Sequence, residues 1–241
     1  MWKTLLANIL DMFFPRNCIN CKRSGSFLCD DCFDLIQVLT WQYCPFCYPS
    51  QISSNGLVCL KHKSQNHINS LIAAVPYSDP IAQRAMKLFK YQPYIKQLSI
   101  PLATLITSHL KQTHIGSEHF KDFIIVPVPY TKNKEKYRGF KPTYELSLIM
   151  SAFLNVPIVD ALVKTKDGQS QAGLNKSQRL ENVKNAFAIK KEFANNLPNK
   201  KILLLDDIFT TGATVNQCAN LLKQNGAEFI CAMVVAREFL D

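Results

Sequence analysis

The fold of this chain is decided near its C-terminal end by the stretch Leu203-Leu204-Leu205-Asp206-Asp207-Ile208-Phe209-Thr210-Thr211-Gly212-Ala213-Thr214. Its apolar start has the length and composition of a strand that is buried on both faces. The adjacent carboxylates Asp206 and Asp207 then follow at the carboxyl end of that strand, where α/β proteins bind ligands. The stretch therefore predicts a parallel strand, a ligand-binding loop and a helix over 214–224.

The loop between this strand and this helix is suited to an anion. Thr210, Thr211 and Thr214 supply hydroxyls, Gly212 permits close backbone approach, and the free amides of a helix N-terminus favour a phosphate. Two acids beside a phosphate need neutral hydroxyls or a cation, so a ribose diol on the acids and a phosphate in the loop satisfy both. An ordinary helix cap would explain one threonine but not the adjacent acids. The chain has neither a complete P-loop nor a complete Rossmann glycine fingerprint.

Strand and helix patterns alternate along most of the chain. Because such alternation implies parallel strands joined by helical crossovers, the sequence predicts an α/β fold with a parallel sheet. The predicted strands cover 71–77, 123–128, 157–163, 201–207 and 229–236, and the predicted helices cover 81–91, 144–154 and 214–224.

Seven of the nine cysteines fall between Cys18 and Cys59. The N-terminal residues show no signal-peptide cleavage site, so we expect a reducing, cytoplasmic setting in which closely spaced cysteines hold structural zinc. The first four ligands can share one ion and the last four another, or the pairs can interleave. Cys218 and Cys231 are expected in the core. The predicted zinc ligands are Cys18, Cys21, Cys29, Cys32, Cys44, Cys47, Cys59 and His62.

The net charge of +10 is unevenly distributed. Residues 1–70 carry a net charge of +2 and residues 71–241 one of +8, and no acidic residue occurs between Pro80 and Ser117. Although most lysines simply face solvent, three basic clusters in the second part of the chain favour an anionic partner. The amphipathic helix predicted at 5–13 has only Lys3 near it as a cation, so it is expected to pack on the protein, with a membrane surface as the alternative.

The stretch at 203–214 resembles the phosphoribosyl pyrophosphate signature of the phosphoribosyltransferase family. Other segments resemble ComF-type competence proteins, in which a zinc module is fused to a phosphoribosyltransferase domain. The chain departs from that pattern at Lys141-Pro142 and at Gln92-Pro93, so fine substrate specificity is not carried over. The resembling segments are Phe89-Lys90-Tyr91, Val126-Pro127-Val128-Pro129-Tyr130, Lys136-Tyr137-Arg138-Gly139-Phe140, Gln171-Ala172-Gly173-Leu174-Asn175, Arg179, Asn182 and Ala186-Phe187.

The resemblance implies a type I phosphoribosyltransferase fold over 70–241, preceded by an N-terminal helix and a zinc-ribbon-like module over 1–69. It also implies that phosphoribosyl pyrophosphate binds with Mg²⁺, with its ribose on the two acids, its 5′-phosphate in the threonine loop and its pyrophosphate near Arg138. The implied ligand residues are Asp206, Asp207, Thr210, Thr211, Gly212, Ala213, Thr214, Tyr130 and Arg138.

Two functions follow from the resemblance. The first is a role in natural transformation, in which the protein binds and handles incoming single-stranded DNA on the cytoplasmic side, beside a ribose-phosphate site. The alternative is an active Mg²⁺-dependent phosphoribosyltransferase with an unknown acceptor. The implied partners are single-stranded DNA, phosphoribosyl pyrophosphate or a related ribose phosphate, and other competence proteins, with at most peripheral membrane contact. The candidate DNA-binding residues are Lys87, Lys90, Lys132, Lys134, Lys136, Arg138, Lys141, Arg179 and Lys184.

Overall fold

A computed structural model describes residues 16–165 and 186–239, and within them the strands form two sheets. The strands are β1 (Ser70–Pro76), β2 (Phe123–Pro127), β3 (Leu162–Lys164), β4 (Phe187–Ile189), β5 (Lys201–Phe209) and β6 (Phe229–Arg237). The larger sheet is parallel, with the order β1-β6-β5-β2, and β3 pairs antiparallel with β4. The predicted α/β fold with a parallel sheet is thereby confirmed. The helix predicted at 5–13 lies outside the described residues.

Helices cover both faces of the larger sheet. They are α1 (Asp30–Phe33), α2 (Leu60–Lys63), α3 (Pro80–Lys90), α4 (Ser99–Gln112), α5 (Lys132–Arg138), α6 (Pro142–Leu154) and α7 (Ala213–Gln224), and short 3₁₀ turns lie at Ser54–Gly56, Lys96–Leu98, Ser117–Phe120 and Lys191–Asn196. Among the described residues, no helix combines the length and the apolar character needed to cross a membrane.

The central strand β5 separates two apolar cores. Leu203 and Leu205 belong to one core, together with residues of α3, α4 and α6, whereas Ile202 and Leu204 belong to the other, together with residues of α7. This division follows from the strand geometry, because successive side chains point to opposite faces of a sheet. The strand is consequently apolar from Ile202 to Leu205, between Lys201 at its start and the acids at its carboxyl end, as expected for a sheet covered on both faces.

The cysteine-rich segment, residues 16–69, covers the free edge of β1. The backbone N–H of Leu39 donates to the carbonyl of Ala74 at 2.8 Å, and the side chain of Gln42 accepts from the N–H of Ala73 at 3.3 Å. Pairing an exposed strand edge in this way protects it from pairing with another chain. The segment also shares a core with the sheet, since Cys18 and Ile36 belong to the same apolar cluster as the α3 residues.

The sequence prediction of one strand at 157–163 is wrong. Ile158 forms a parallel bridge with Ile125, and the chain then turns, since the N–H of Ala161 donates to the carbonyl of Val159 at 2.8 Å. A bond across so few residues closes a tight turn that ends the extended run. The remaining residues of the run form β3, which leaves the larger sheet and pairs with β4.

Candidate functional site

The acid pair, Asp206 and Asp207, lies at the carboxyl end of β5 and is almost completely buried. Strand alternation sends the two side chains toward different layers. Asp207 contacts Lys90 at the end of α3, whereas the charge of Asp206 acts on Cys218 of α7. A ligand above this strand end is therefore within reach of groups from both helical layers.

Asp207 is held by two partners that are distant in sequence. The Lys90 ammonium donates to its carboxylate at 2.9 Å, and the Tyr130 hydroxyl donates at 2.5 Å. The guanidinium of Arg138 lies 4.4 Å from the centre of the Tyr130 ring, a cation–π contact. Burial alone would lower the pKa of Lys90, but the negative charges of Asp207 and Asp206 outweigh it and raise that pKa. Lys90 therefore remains charged.

Asp206 has no comparable cation in hydrogen-bonding contact among the described residues. Burial, together with the charge of Asp207, raises the pKa of its carboxyl to about 8. The backbone N–H of Asp207 donates to Asp206 Oδ1 at 2.8 Å, which favours the charged form but only in part offsets burial. At neutral pH the Asp206 carboxyl consequently holds a proton.

The phosphate loop, residues 210–214, connects β5 to α7 with its threonines exposed. Gly212 is the N-cap residue of α7 and has a left-handed φ of 75°, which favours glycine. Because glycine has no side chain with which to cap the helix, the first-turn amides can bind an anion. Within the loop, the N–H of Ala213 donates to Thr211 Oγ1 at a long 3.4 Å. The loop therefore presents exposed hydroxyls and the first amides of a helix next to the buried acids, and such groups can bind an anion.

A cleft of about 400 Å³ joins the acid pair to the phosphate loop. It brings together six of the predicted ribose-phosphate ligands and four of the predicted DNA-binding residues, and Arg138 belongs to both sets. Tyr77, Tyr91 and Lys164 also line it and are not among the predicted site residues; of the three, only Tyr91 lies in a segment that the sequence singled out, Phe89-Lys90-Tyr91. The predicted residues in the cleft are Asp206, Asp207, Thr210, Thr214, Tyr130, Arg138, Lys87, Lys90 and Lys134.

The other predicted DNA-binding residues lie elsewhere. Lys132 and Lys141 line a smaller neighbouring cavity of about 120 Å³, where Lys141 and Lys190 bind Asp160 at 3.3 and 2.8 Å. Lys136 is exposed on α5. Arg179, Lys184 and the resembling segment at 171–175 lie outside the described residues.

The predicted metal ligands form two separate clusters, and in each the ligand atoms lie within 4.8 Å of one another. The first cluster consists of Cys18, Cys21, Cys29 and Cys32, and the second consists of Cys44, Cys47, Cys59 and His62. The interleaved pairing that the sequence left open is therefore excluded. Cys218 and Cys231 are buried in the core, as expected.

Both clusters have the dimensions of a zinc site. Ligands about 2.3 Å from a tetrahedral zinc lie roughly 3.8 Å from one another. In the first cluster, the sulfurs of Cys21 and Cys29 are 3.6 Å apart. In the second, the sulfur of Cys47 is 3.6 Å from that of Cys59 and 3.6 Å from His62 Nδ1. The N–H of Cys59 also donates to the sulfur of Cys44 at 3.4 Å, a contact that stabilises a thiolate. The clusters can each hold a zinc ion.

Several known proteins are similar in sequence to this chain. The family model "Phosphoribosyl transferase domain" matches residues 136–238. Competence protein F of Haemophilus influenzae is 29% identical to this chain over 93% of the chain and 98% of its own length. Competence protein ComFC of Streptococcus pneumoniae is 27% identical over 90% of each protein. The DNA utilization protein YhgH of Escherichia coli (strain K12) is 31% identical over 47% of this chain and 48% of its own length. The chain is thus similar over most of its length to ComF-type competence proteins, and residues 136–238, which follow a cysteine-rich segment, match a phosphoribosyltransferase domain.

Proposed function

We propose that this protein acts in natural transformation, where it binds incoming single-stranded DNA next to a site for phosphoribosyl pyrophosphate or a related ribose phosphate. The observation that carries the proposal is one cleft in which the acid pair, the phosphate loop and several cations meet. The names of the relatives, which are competence and DNA utilization proteins, support the biological role. The place of action is then the cytoplasmic side, where the strand is received.

Two kinds of group in the cleft, the amides and hydroxyls of the loop and the carboxyls of the acid pair, would hold the ribose phosphate. The amides and hydroxyls of the phosphate loop take the 5′-phosphate, and the acid pair takes the ribose hydroxyls. Asp206, which is protonated at neutral pH, can both donate to and accept from a hydroxyl, and the carboxyl oxygens of Asp207 can accept. Mg²⁺ bound with the ligand supplies charge neutralisation on the pyrophosphate, and carboxylate oxygens are donors that it prefers.

The DNA strand would be held outside this pocket by charge. Lys87 and Lys134 line the cleft and are exposed, so they can reach backbone phosphates. Tyr91 and Tyr137, with 58% and 81% of their surface exposed, can stack on bases. The acid pair itself suits a ribose with two hydroxyls, and a deoxyribose within a strand offers neither. The ribose phosphate and the strand are therefore distinct ligands of adjoining surfaces.

Binding of the ribose phosphate can be measured by calorimetry. Wild-type protein should bind ribose 5-phosphate, and 2-deoxyribose 5-phosphate should bind about tenfold more weakly because one hydroxyl contact is lost. Asp207→Asn should weaken binding of ribose 5-phosphate by about tenfold or more. The matched control is Asp122→Asn. It changes an exposed acid just before β2, at the amino ends of the parallel strands and so at the opposite end from the acid pair. Equal binding by wild type and Asp207→Asn would contradict the site.

Binding of the strand can be measured by fluorescence anisotropy with a labelled oligothymidylate. Its affinity should fall steeply between about 50 and 200 mM salt as counterions are released. Replacing Lys87 and Lys134 together by Gln should reduce the salt slope by about 0.7 per lost contact. The control replaces Lys121 and Lys200 by Gln. Both are exposed lysines at the amino ends of β2 and β5, away from the cleft. Absent or salt-insensitive binding would overturn the DNA-binding part of the proposal, and competition by phosphoribosyl pyrophosphate with Mg²⁺ would instead place both ligands in one site.

Phosphoribosyl transfer is the second candidate function. The cations that share the cleft with the acid pair favour it, because they can stabilise a departing pyrophosphate. Release of pyrophosphate from phosphoribosyl pyrophosphate in the presence of candidate acceptors tests it. The activity should disappear in Asp206→Ala and Asp207→Ala. Tight binding without any release of pyrophosphate would leave a binding protein rather than an enzyme.

A further inference from the structure

The second metal cluster packs directly on the phosphate loop. Phe46, which lies between the ligands Cys44 and Cys47, contacts the ring of Phe209 with their centroids 5.9 Å apart. The same Phe46 ring lies 6.4 Å from the ring of the ligand His62. Phe209 is the last residue of β5 and is completely buried beside the loop. One side chain of the metal module therefore connects two metal ligands to the start of the loop.

Gly212 makes this contact tight. A Cβ atom at this position would lie 2.5 and 2.8 Å from carbons of the Phe209 ring and 3.2 Å from a carbon of the Phe46 ring. These distances leave no room for a side chain at Gly212. The left-handed turn of the loop therefore packs directly against the rings of Phe209 and Phe46. Movement of Phe46 would remove one side of that support.

A second contact leads from the same cluster to the same loop. The backbone N–H of His67, five residues after the ligand His62, donates to Asn216 Oδ1 at 2.6 Å. The backbone N–H of Asn216 in turn donates to the carbonyl of Gly212 at 2.8 Å. The first turn of α7 is thus tied to the chain that leaves the second cluster.

The first metal cluster provides an internal comparison. Cys18 and Cys32 lie in the apolar core on the other face of the sheet, together with residues of α3. Its neighbour Ile19 accepts a hydrogen bond from Arg84 Nη1 at 3.1 Å. Phe209 and Val215, which flank the phosphate loop, belong instead to the core against which Phe46 packs. Among the described residues, an effect transmitted to the phosphate loop through these contacts should therefore come from the second cluster.

We propose that the metal of the second cluster holds the phosphate loop in its binding geometry, with Phe46 as the positioning residue. A metal bound to Cys44 and Cys47 closes a ring around Phe46 and fixes where its side chain lies. Binding of metal there and binding of ribose phosphate in the loop are then positively coupled, and each strengthens the other by the same factor. The second half of this inference rests on the proposed ribose-phosphate site, whereas the contact between the loop and the metal cluster does not.

The test with ligand compares Phe46→Ala with Phe33→Ala, which removes an aromatic ring next to the first cluster. In the metal-loaded full chain, Phe46→Ala should weaken ribose 5-phosphate binding about tenfold, whereas Phe33→Ala should leave it within about twofold. Phe46→Leu, which keeps an apolar contact, should recover part of the loss. Ribose 5-phosphate should also slow the release of one of the two zinc ions to a coloured chelator. Equal affinities for Phe46→Ala and Phe33→Ala would overturn the inference.

The test without ligand uses Gly212→Ala, because the added methyl group must push against Phe209 and Phe46. Zinc release from this variant should be about tenfold faster in one phase and unchanged in the other. If wild-type protein binds no ribose 5-phosphate but Gly212→Ala still speeds one phase, the proposed function fails and the coupling stands. If wild-type protein binds the ligand and neither Gly212→Ala nor Phe46→Ala changes zinc release or affinity, the coupling fails and the proposed function stands.

Discussion

Asp206 retains its proton at neutral pH because it is buried next to another carboxyl group. The pKa of this carboxyl in the folded protein, about 8, lies far above its ordinary value of 3.8. Between these values the unfolded chain releases a proton that the folded protein keeps, so the free energy of unfolding decreases as the pH rises. The contribution of the Asp206 carboxyl to stability is therefore complete below its ordinary pKa of 3.8, and it is lost as the pH rises to about 8.

The variant Asp206→Asn should abolish this pH dependence, because asparagine resembles the protonated acid and keeps the Oδ1 acceptor for the N–H of Asp207. We compare the midpoint of thermal unfolding of the variant with that of wild type at two pH values. The difference, variant minus wild type, should be larger by about 2 °C or more at a pH of about 9 than at a pH of about 5. Scanning calorimetry without ligand measures the difference. The exposed-acid variant Asp122→Asn should show no such trend, and an Asp206→Asn difference that is constant with pH would contradict the assignment.

Lys90 neutralises Asp207 within the cleft, with 20% and 6% of the two side chains exposed. Removal of one member of such a pair leaves an uncompensated charge, so Lys90→Met should lower the free energy of unfolding by about 3 kcal/mol. The double variant Lys90→Met, Asp207→Asn should recover most of this loss. Urea unfolding of the four proteins in the cycle gives the coupling energy. If the double variant is as unstable as the sum of the single variants, the ion pair does not stabilise the fold.

The helix α3 shows how a single residue joins two parts of the chain. The Asp79 carboxylate caps α3 by accepting from the N–H groups of Ile81 and Ala82 at 3.0 and 2.9 Å. It also accepts from the N–H of Gln37 in the cysteine-rich segment at 3.1 Å. Pro80 at the first helical position reinforces this helix start.

Loss of this cap should be measurable in urea. Asp79→Ala should lower the free energy of unfolding by about 1 to 2 kcal/mol, since both the cap and the contact with Gln37 are lost. Asp79→Asn should cost much less, because an asparagine side chain also caps helices. Equal losses in the two variants would show that the charge of Asp79, and not its capping oxygen, stabilises this helix start.

The elements that the sequence predicted well are those with a strong local pattern. The apolar run that ends at the acid pair is β5, and the turn residues that flank α3 and α7 mark those helices. Helix α4 was not predicted, because Pro101 lies near its start and the buried polar residues Ser99 and His109 interrupt its apolar pattern. The contact of Lys90 with Asp207 joins residues 117 positions apart, and no local pattern carries that information. The composition of the site was therefore predictable, whereas the pairing within it required the fold.

At the scale of the whole molecule, the two metal clusters lie on opposite faces of the same sheet structure. Cys18 and Cys32 of the first cluster lie in one apolar core, and Phe46 of the second packs against the other. The division of the chain into domains at 1–69 and 70–241 stays a prediction, and the shared core means that the two parts would stabilise each other.

Removal of metal should therefore destabilise the whole chain and not only its first part. The free energy of metal binding contributes to folding, so chelation should lower the thermal midpoint by roughly 10 °C or more. Elemental analysis should give two zinc ions per chain before chelation, one for each cluster. Scanning calorimetry should then show one unfolding transition before and after chelation, and its midpoint should be lower after chelation. An unchanged midpoint after complete removal of zinc would contradict a structural role.

The strand pair β3–β4 fixes the position of one cation of the cleft. Lys164 pairs with Phe187, and the N–H of Thr165 donates to the carbonyl of Ala186 at 2.8 Å, so the two described parts of the chain are joined there. Lys164 also lines the cleft, and its ammonium lies 5.2 Å from the centre of the Phe187 ring. A change that separates β3 from β4 should therefore displace a cleft residue, although neither strand belongs to the larger sheet.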